Sequence, residues 1–397
     1  MSNYQRYKKI KYTLKSVLYK NLDIERVCAS IIARGVWVGK LEALKFLFMK
    51  PSFGSEKREF KTLMTYAFNN RKDHLDKVHS YCEGKNIEKS SCVEISRKLE
   101  YSLSNIFSSI KCIVTASSVF LQAAKYELNF NDKIILYASI VYCIRQLDYF
   151  NSLNITCDTY IAYNSADLEE AALCTIFNRV NTYGLQHGMY FNYNNDIPLD
   201  VINYENINSK YFVAWGEYTL DQVGSSLPDS VEKIVSYDFH YLKPTKNRKL
   251  SSSILVLLPR LIYKVQIIEL LEVLSEFKEQ KIFIKVHPSL LKDNELLKLI
   301  KSTTNSSLIT GTVDEVLSSK KFKCVISFNS TVLFESILYG QNTFFFNSTS
   351  TEFVFKPMFT NFEELNSLIN QSSNNDFKSD KVYFFANRAD YLNERVI

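Results

Sequence analysis

The sequence predicts an α/β protein of two domains, each built on a parallel sheet. Three observations carry the prediction. The chain has 397 residues and 46% hydrophobic content, enough to bury two ordinary cores. From Asp132 onward, short apolar runs alternate with segments of helical spacing, the pattern of strand–helix–strand crossovers. The alternation stops at a polar, basic stretch with one proline, His240–Ser253 (HYLKPTKNRKLSSS), and then restarts.

Taken in order, residues 1–20 hold Arg6, Lys8, Lys9, Lys11, Lys15 and Lys20 with no acid. Such a segment is read either as a helix resting on an anionic membrane surface, with Ile10, Leu14, Val17 and Leu18 as its apolar side, or as a basic first helix packed on the domain. From Asn21 to Lys125 the apolar spacing is mainly helical, with polar breaks near Pro51–Glu56 and Glu83–Ser91. Residues 1–125 are therefore expected as an extra helical, basic region belonging to the first domain.

Within 126–240, Thr156–Tyr163 reads as a strand, Asp167–Arg179 as a helix, and Thr182–Leu185 as a short strand ending at Gln186-His187-Gly188. Tyr211–Trp215 and Lys233–Tyr237 are further strands, with a helical turn or two at Tyr218–Val223. Residues 241–253 are the expected linker. The second domain, 254–397, repeats the logic. Ile254–Leu258, Lys281–Val286, Ser307–Ile309, Cys324–Phe328 and Thr343–Phe346 read as strands, and Val265–Phe277, Glu295–Lys301, Val313–Ser318 and Thr331–Tyr339 as helices.

Composition excludes several classes. No apolar run approaches the ~18–20 residues of a membrane span, and the N-terminus lacks the apolar core of a signal peptide. The eight cysteines form no CxxC pair, and His79 with Cys82 lacks a second ligand pair. They read as buried thiols of a reducing compartment, which predicts a cytoplasmic location, peripheral to the inner membrane face if residues 1–20 bind lipid. The net charge of +6 is modest, there is no zinc-finger or RNP pattern, and the 25 Tyr and 28 Phe lie mostly in apolar runs, so nucleic acid is not an expected partner. No GxGxxG or GxxxxGK[ST] occurs, and no isolated DxD offers a metal site. Neither metal nor cofactor is expected.

The residues that suggest chemistry stand at predicted strand ends. One strand delivers His287 and Pro288, and Pro288 stops it from continuing. Another delivers Asn329, Ser330 and Thr331 before a helix, with Glu335 one turn inside and Gly340 as its C-terminal cap. Ligands on parallel sheets bind at the carboxyl ends of strands, where helix N-termini favour phosphate. A nucleotide site is thus expected from His287, Pro288, Asn329, Ser330, Thr331 and Glu335, joined by Arg260, with Glu335 on ribose hydroxyls. In the first domain, His187 is the expected general base, because an imidazole of ordinary pKa suits that role near neutral pH, with Gln186, Gly188 and Tyr190 on the acceptor side. Asp158, Asp167, Glu169 and Glu170 are alternative carboxylates. Two domains and a linker imply a cleft, a natural place for a two-substrate reaction.

With LQHG at 185–188, FVAWG at 212–216, KVHPS at 285–289 and SFNSTVLFESILYG at 327–340, the chain resembles bacterial GT-B type glycosyltransferases of capsule, teichoic acid or lipopolysaccharide synthesis. Its second half is similar to teichoic acid polymerases, polysialyltransferases and capsular Kdo transferases. The resemblance, over about Thr156 to Phe346, implies two Rossmann-like domains. It also implies a nucleotide-sugar donor held by His287, Ser330 and Thr331, and His187 as acceptor base. The expected activity is transfer of a sugar from a CMP- or other cytidine-linked donor to a surface-polysaccharide or lipid-linked glycan. A CDP-polyol phosphotransferase, a nucleotide-sugar epimerase and a non-catalytic sugar-binding component of an assembly complex are the alternatives.

Overall fold

A computed structural model of the chain describes residues 1–67, 72–100, 103–123, 127–188, 190, 192–193, 197–236, 251–303, 305–348 and 357–371. These divide into two compact units, one ending before residue 241 and the other beginning after 240. Residues 241–250 of the expected linker, and 372–397 of the expected second domain, lie outside the described residues. No helix among the described residues is long and apolar enough to cross a membrane.

Unit 1 starts with α1 (Asn3–Tyr12), a two-residue hairpin β1 (Leu18–Tyr19) and β2 (Leu22–Asp23), then α2 (Glu25–Trp37) and α3 (Lys40–Lys45). The strands β3 (Met49–Phe53) and β4 (Glu59–Tyr66), α4 (Lys72–Gly84), β5 (Cys92–Leu99) and the long α5 (Leu103–Ala123) and α6 (Phe130–Ser152) follow. It continues with β6 (Thr156–Ala162), α7 (Leu168–Ile176), β7 (Asn181–Leu185), α8 (Ile202–Glu205), β8 (Tyr211–Ala214), α9 (Glu217–Val223) and β9 (Glu232–Val235).

These strands form one seven-stranded sheet in the order β3-β5-β4-β6-β7-β8-β9. All neighbours are parallel except β3, which pairs antiparallel with β5 at the edge. The helical spacing over Asn21–Lys125 is therefore only part of the answer, because three of the seven strands come from it. Pro51, expected as a break, sits in edge strand β3, where a missing N–H disrupts no second ladder. The central strand β4 (EFKTLMTY) buries Leu63, Met64 and Thr65 in succession and so shows no two-residue period.

Alternate strand residues serve the two faces. Tyr160, Ala162, Phe212 and Ala214 join α2, α6 and α7 in one core. On the other face Met64 Sδ lies 3.4 Å from Cys82 Sγ of α4.

Unit 2 is a regular alternation. Its elements are β10 (Ile254–Leu257), α10 (Lys264–Ser275), β11 (Ile282–Lys285), α11 (Asn294–Ser302), β12 (Ser306–Leu308), α12 (Val313–Ser319), β13 (Cys324–Ser327), α13 (Val332–Leu338), β14 (Thr343–Phe346), β15 (Met358–Phe359) and α14 (Phe362–Gln371). The sheet order is β12-β11-β10-β13-β14-β15, parallel throughout. Both units are Rossmann-like: the first parallel strand lies inside the sheet, the chain builds outward on one side, then crosses back to the other. The direction reverses between β10 and β13 in unit 2 and between β4 and β6 in unit 1. Such reversals open a crevice at the carboxyl ends of the two strands.

The N-terminal segment corrects one expectation. Ile10, Leu14 and Val17, the side proposed for lipid, are buried in the core of unit 1, while Leu18 is exposed. Four of the six cations are paired inside the unit: Arg6 with Asp132 (2.6 Å), Lys8 with Glu205 (3.2 Å), Lys11 with Glu25 (3.5 Å) and Lys20 with Asp148 (2.7 Å). Burying an apolar face against protein removes it from any lipid surface.

Candidate functional site

In unit 2 the expected residues follow three adjacent strands around the reversal. Arg260 lies just past β10, His287 just past β11, and Asn329–Thr331 just past β13. The strand ends are tied together. Ser327 Oγ donates to the Leu257 carbonyl (2.8 Å), joining β13 to β10. Leu261 N–H donates to Ser289 Oγ (3.0 Å), and Lys264 pairs with Asp293 (2.7 Å), joining the segments that follow β10 and β11.

His287 caps the short turn Pro288–Lys292, and its Nδ1 accepts the backbone N–H of Ser289 (3.1 Å). A backbone N–H can only donate, so Nδ1 carries no proton and in the neutral ring the proton sits on Nε2. His287 is thereby set to donate through Nε2. Pro288 is exposed at the first position of the turn, where the absence of its N–H costs nothing.

Asn329 turns the chain at φ +43°, a left-handed conformation that asparagine tolerates. Thr331 occupies the N-cap of α13, yet its side chain makes no cap hydrogen bond. Ser330 and Thr331 are half-buried, and Glu335 stands one turn into the helix. Lys285, the last residue of β11, was not among the expected site residues. Its amine donates to the Gly311 carbonyl, and burial pushes its pKa down.

In unit 1 the expected residues gather at the ends of β6, β7 and β8. His187 follows β7 and is half-buried, its Nδ1 3.1 Å from the hydroxyl of buried Tyr190. The Tyr190 ring stacks on Phe212 (5.7 Å between centroids, 8° between planes), which fixes its hydroxyl. Gln186 is buried with both ends of its amide on backbone: Nε2 donates to the Gly188 carbonyl (2.8 Å) and Oε1 accepts from Trp215 N–H (2.7 Å). It shapes the turn that presents His187. The glycine in β7 is sterically required, because a Cβ on Gly184 would stand 2.2 Å from Ser165 Oγ and 2.5 Å from Ser209 Oγ.

The alternative carboxylates fall elsewhere. Asp158 is exposed near the start of β6, the opposite end of the strand from His187. Asp167 and Glu169 face Arg97 (3.7 and 3.2 Å), and Glu169 also accepts from Tyr142 (2.6 Å). Fully buried Glu170 lies at the reversal itself. It accepts from Tyr163 N–H (2.7 Å), Asn164 N–H (3.1 Å) and Thr65 Oγ (3.1 Å), so it joins the ends of β4 and β6. Burial pushes its pKa up to about 8, against the opposing pull of the two backbone donors.

Four further side chains belong to this end. Tyr163 and His187 rings are 5.8 Å apart, and His74 of α4 lies 5.6 Å from Tyr163 and 6.4 Å from His187. Lys77, one turn after His74, puts its ammonium 5.9 Å from the Trp215 ring. Nothing in the local sequence of α4 marks these two as site residues, since i, i+3 spacing describes any helix face. Among the described residues, no group of three or more His, Cys, Asp or Glu side chains is arranged to hold a metal ion.

No protein-family model matches the chain. No curated protein matches it either. Among solved structures, the chain is similar to Staphylococcus aureus TarM, a point mutant in complex with fondaparinux, alpha-GlcNAc-glycerol and UDP. That match has 17% identity and a TM-score of 0.41, and covers 59% of this chain and 52% of that one. The chain thus spans about half the length of the TarM structure. A UDP-GlcNAc 2-epimerase from Methanocaldococcus jannaschii, in complex with UDP-GlcNAc and UDP, matches with 13% identity and a TM-score of 0.48, covering 82% of this chain and 97% of that one. The S. aureus MnaA–UDP structure matches with 14% identity and a TM-score of 0.44, covering 82% and 90%.

Proposed function

We propose that this protein is a glycosyltransferase of the GT-B type. It moves a sugar from a nucleotide-activated donor, CMP- or otherwise cytidine-linked, to a surface-polysaccharide or lipid-linked glycan. The observation that carries the reading is the convergence of Arg260, His287, Ser330 and Thr331 on the strand reversal of unit 2, with the His287 proton on Nε2. One fixed cation, one imidazole donor and two hydroxyls suit the phosphate of a nucleotide, and Glu335 suits its ribose.

The proposed reaction uses the His187 tautomer in which Nδ1–H donates to the Tyr190 hydroxyl 3.1 Å away, which leaves Nε2 able to accept a proton. Nε2 takes the proton of an acceptor hydroxyl while that oxygen bonds to the anomeric carbon of the donor. The bond from that carbon to the phosphate oxygen breaks, and the electron pair leaves with the nucleotide. Arg260, His287, Ser330 and Thr331 stabilise the charge that develops there, the contribution that is usually largest. Transfer is favoured over epimerisation because the acids near His187 are committed. Asp167 and Glu169 serve Arg97, and Glu170 serves the β4 and β6 ends.

Calorimetry with CMP, CDP, UMP and UDP, followed by donor-hydrolysis and transfer assays, tests the reading. His287→Ala and Ser330→Ala are expected to weaken nucleotide binding while the fold persists. His187→Ala is expected to lower turnover by ~10²–10⁴-fold with nucleotide affinity nearly unchanged. The proposed transfer uses no metal, so activity should persist in excess EDTA. Unchanged affinity in both unit 2 variants removes the donor site and the reading with it.

A further inference from the structure

We propose that Cys92 and Cys82 form a reversible redox pair, in which a peroxide oxidises Cys92 and Cys82 then closes a disulfide between α4 and β5. The pair lies outside both sites described above and is independent of the sugar-transfer reading.

The geometry starts from β4 and β5. Met64 and Cys92 are register partners in this parallel pair, so their side chains leave the sheet on the same face. Val93 and Ile95 belong to the core on the opposite face, and alternation therefore places Cys92 on the α4 side. Cys82 of α4 meets the same spot, its Sγ 3.4 Å from Met64 Sδ. The connection between the two cysteines folds back on itself, with Ile87 N–H donating to the Cys82 carbonyl (2.9 Å). Three elements thus bring three sulfurs together, and the two thiols share a hydrogen bond.

The two cysteines are unequal. Cys82 is buried, whereas Cys92 is partly exposed at the start of its strand. Their shared hydrogen bond holds the Cys92 thiol below its ordinary range, against the opposing effect of burial, and raises that of Cys82. The thiolate is the nucleophile, so Cys92 is the residue that attacks and Cys82 the one that resolves. The other cysteines lack this combination. Cys157 is also partly exposed, but burial pushes its thiol up to about 12. Cys28 and Cys143 interact as well, yet both are fully enclosed in the core. Cys112, Cys174 and Cys324 are buried, and burial raises each thiol.

In the first step the Cys92 thiolate attacks a peroxide oxygen, the O–O bond breaks, and hydroxide leaves as Cys92 becomes a sulfenic acid. The Cys82 sulfur then attacks the Cys92 sulfur, the S–O bond breaks, and the Cys82 proton departs with the hydroxyl as water. Two thiols and one hydrogen peroxide give one disulfide and two waters, and a thiol reductant reverses the change. The closed link would fasten the C-terminal end of α4 to the sheet, on the helix whose His74 ring lies 6.4 Å from His187.

Lys85 and Lys89 make the test direct, because trypsin cuts between the two cysteines. The reduced full-length protein is treated under native conditions with an equimolar amount of hydrogen peroxide. Its remaining thiols are then alkylated, and the unreduced tryptic peptides are analysed by mass spectrometry. The expected result is a disulfide that joins residues 78–85 to 90–97, with the other cysteines alkylated and the link removed by dithiothreitol. Cys92→Ser should abolish the link and slow peroxide consumption by about tenfold. Cys82→Ser should leave Cys92 as a sulfenic acid that dimedone traps, and Cys82→Ala provides the same comparison if the serine variant fails to fold. A link between any other two cysteines, a link between two copies of the chain, or a Cys92 that reacts no faster than Cys157 overturns the pair.

Discussion

Glu170 shows how one buried side chain can hold a site together and make it sensitive to pH. Its carboxyl receives donors from Thr65, Tyr163 and Asn164, and therefore joins two strands at their reversal. Burial raises its pKa to about 8, whereas in the unfolded chain it returns to the ordinary glutamate range. Between those values the folded protein holds a proton that the unfolded chain does not. The stability this provides is complete below the unfolded pKa and is lost as pH rises through the folded one. Melting temperature is expected to fall between about pH 5 and about pH 8 and then level off, with a free-energy change on the order of a few kcal/mol. Glu170→Gln should flatten that slope. An equally steep slope in the variant would assign the dependence to other groups. His187 and His287 were legible as polar residues ending apolar runs. Glu170 was legible only as an acid at a helix start, because the partners that define it come from residues 65 and 163–164.

At the scale of elements, α1 shows a basic helix whose partner is protein. Ser2 and Gln5 form a reciprocal cap, and Lys9 and Lys11 lie in the last turn, where the helix dipole favours cations. Tyr7, Ile10 and Leu14 are buried against the rest of unit 1. Exposed ion pairs such as Lys8–Glu205 are worth at most about 1 kcal/mol, so the helix is held chiefly by its buried face. Changing Lys8, Lys9 and Lys15 to Gln is expected to leave the fold intact and the partitioning onto neutral and anionic vesicles equal to that of the unchanged protein. Salt-reversible binding to anionic vesicles, lost in the variant, would instead show a membrane role for the charges alone. The two readings of this helix were equal in the sequence because an amphipathic pattern specifies a face and not what covers it. The strands β3 and β4 escaped for a related reason, whereas β5 does alternate, with Val93 and Ile95 buried on either side of exposed Glu94. A strand buried on both faces has no alternation to read, and an edge proline resembles a loop.

For the whole molecule, the pattern of two sheets with two strand reversals separates the proposed tasks. The nucleotide groups belong to unit 2, and the base and acceptor groups to unit 1. A ligand that binds one folded unit slows its opening by mass action, by about 2.7 kcal/mol at a hundredfold excess over Kd. In hydrogen exchange with saturating CMP or UDP, protection should rise at residues 258–263, 286–290 and 328–333. Residues 163–165 and 185–188 should exchange as before. Nucleotide-dependent protection confined to the unit 1 segments would reverse the assignment of donor and acceptor sides.

The sequence by itself determined the class of fold and the places where chemistry could occur. Runs such as ILVL, IFIK and CVIS are too short for helices and too apolar for anything but buried strands, and the polar residues that follow them must lie at strand ends. Strand order is different, because it depends on which crossover packs on which face, and no local pattern encodes that. Only the tertiary structure placed β10 beside β13, and so brought Arg260 and Asn329–Thr331 to one reversal from positions about seventy residues apart. Only it set His74 and Lys77 of α4 against the residues that follow β6, β7 and β8. Helix periodicity says that His74 and Lys77 share a face, and packing alone says that the face meets His187.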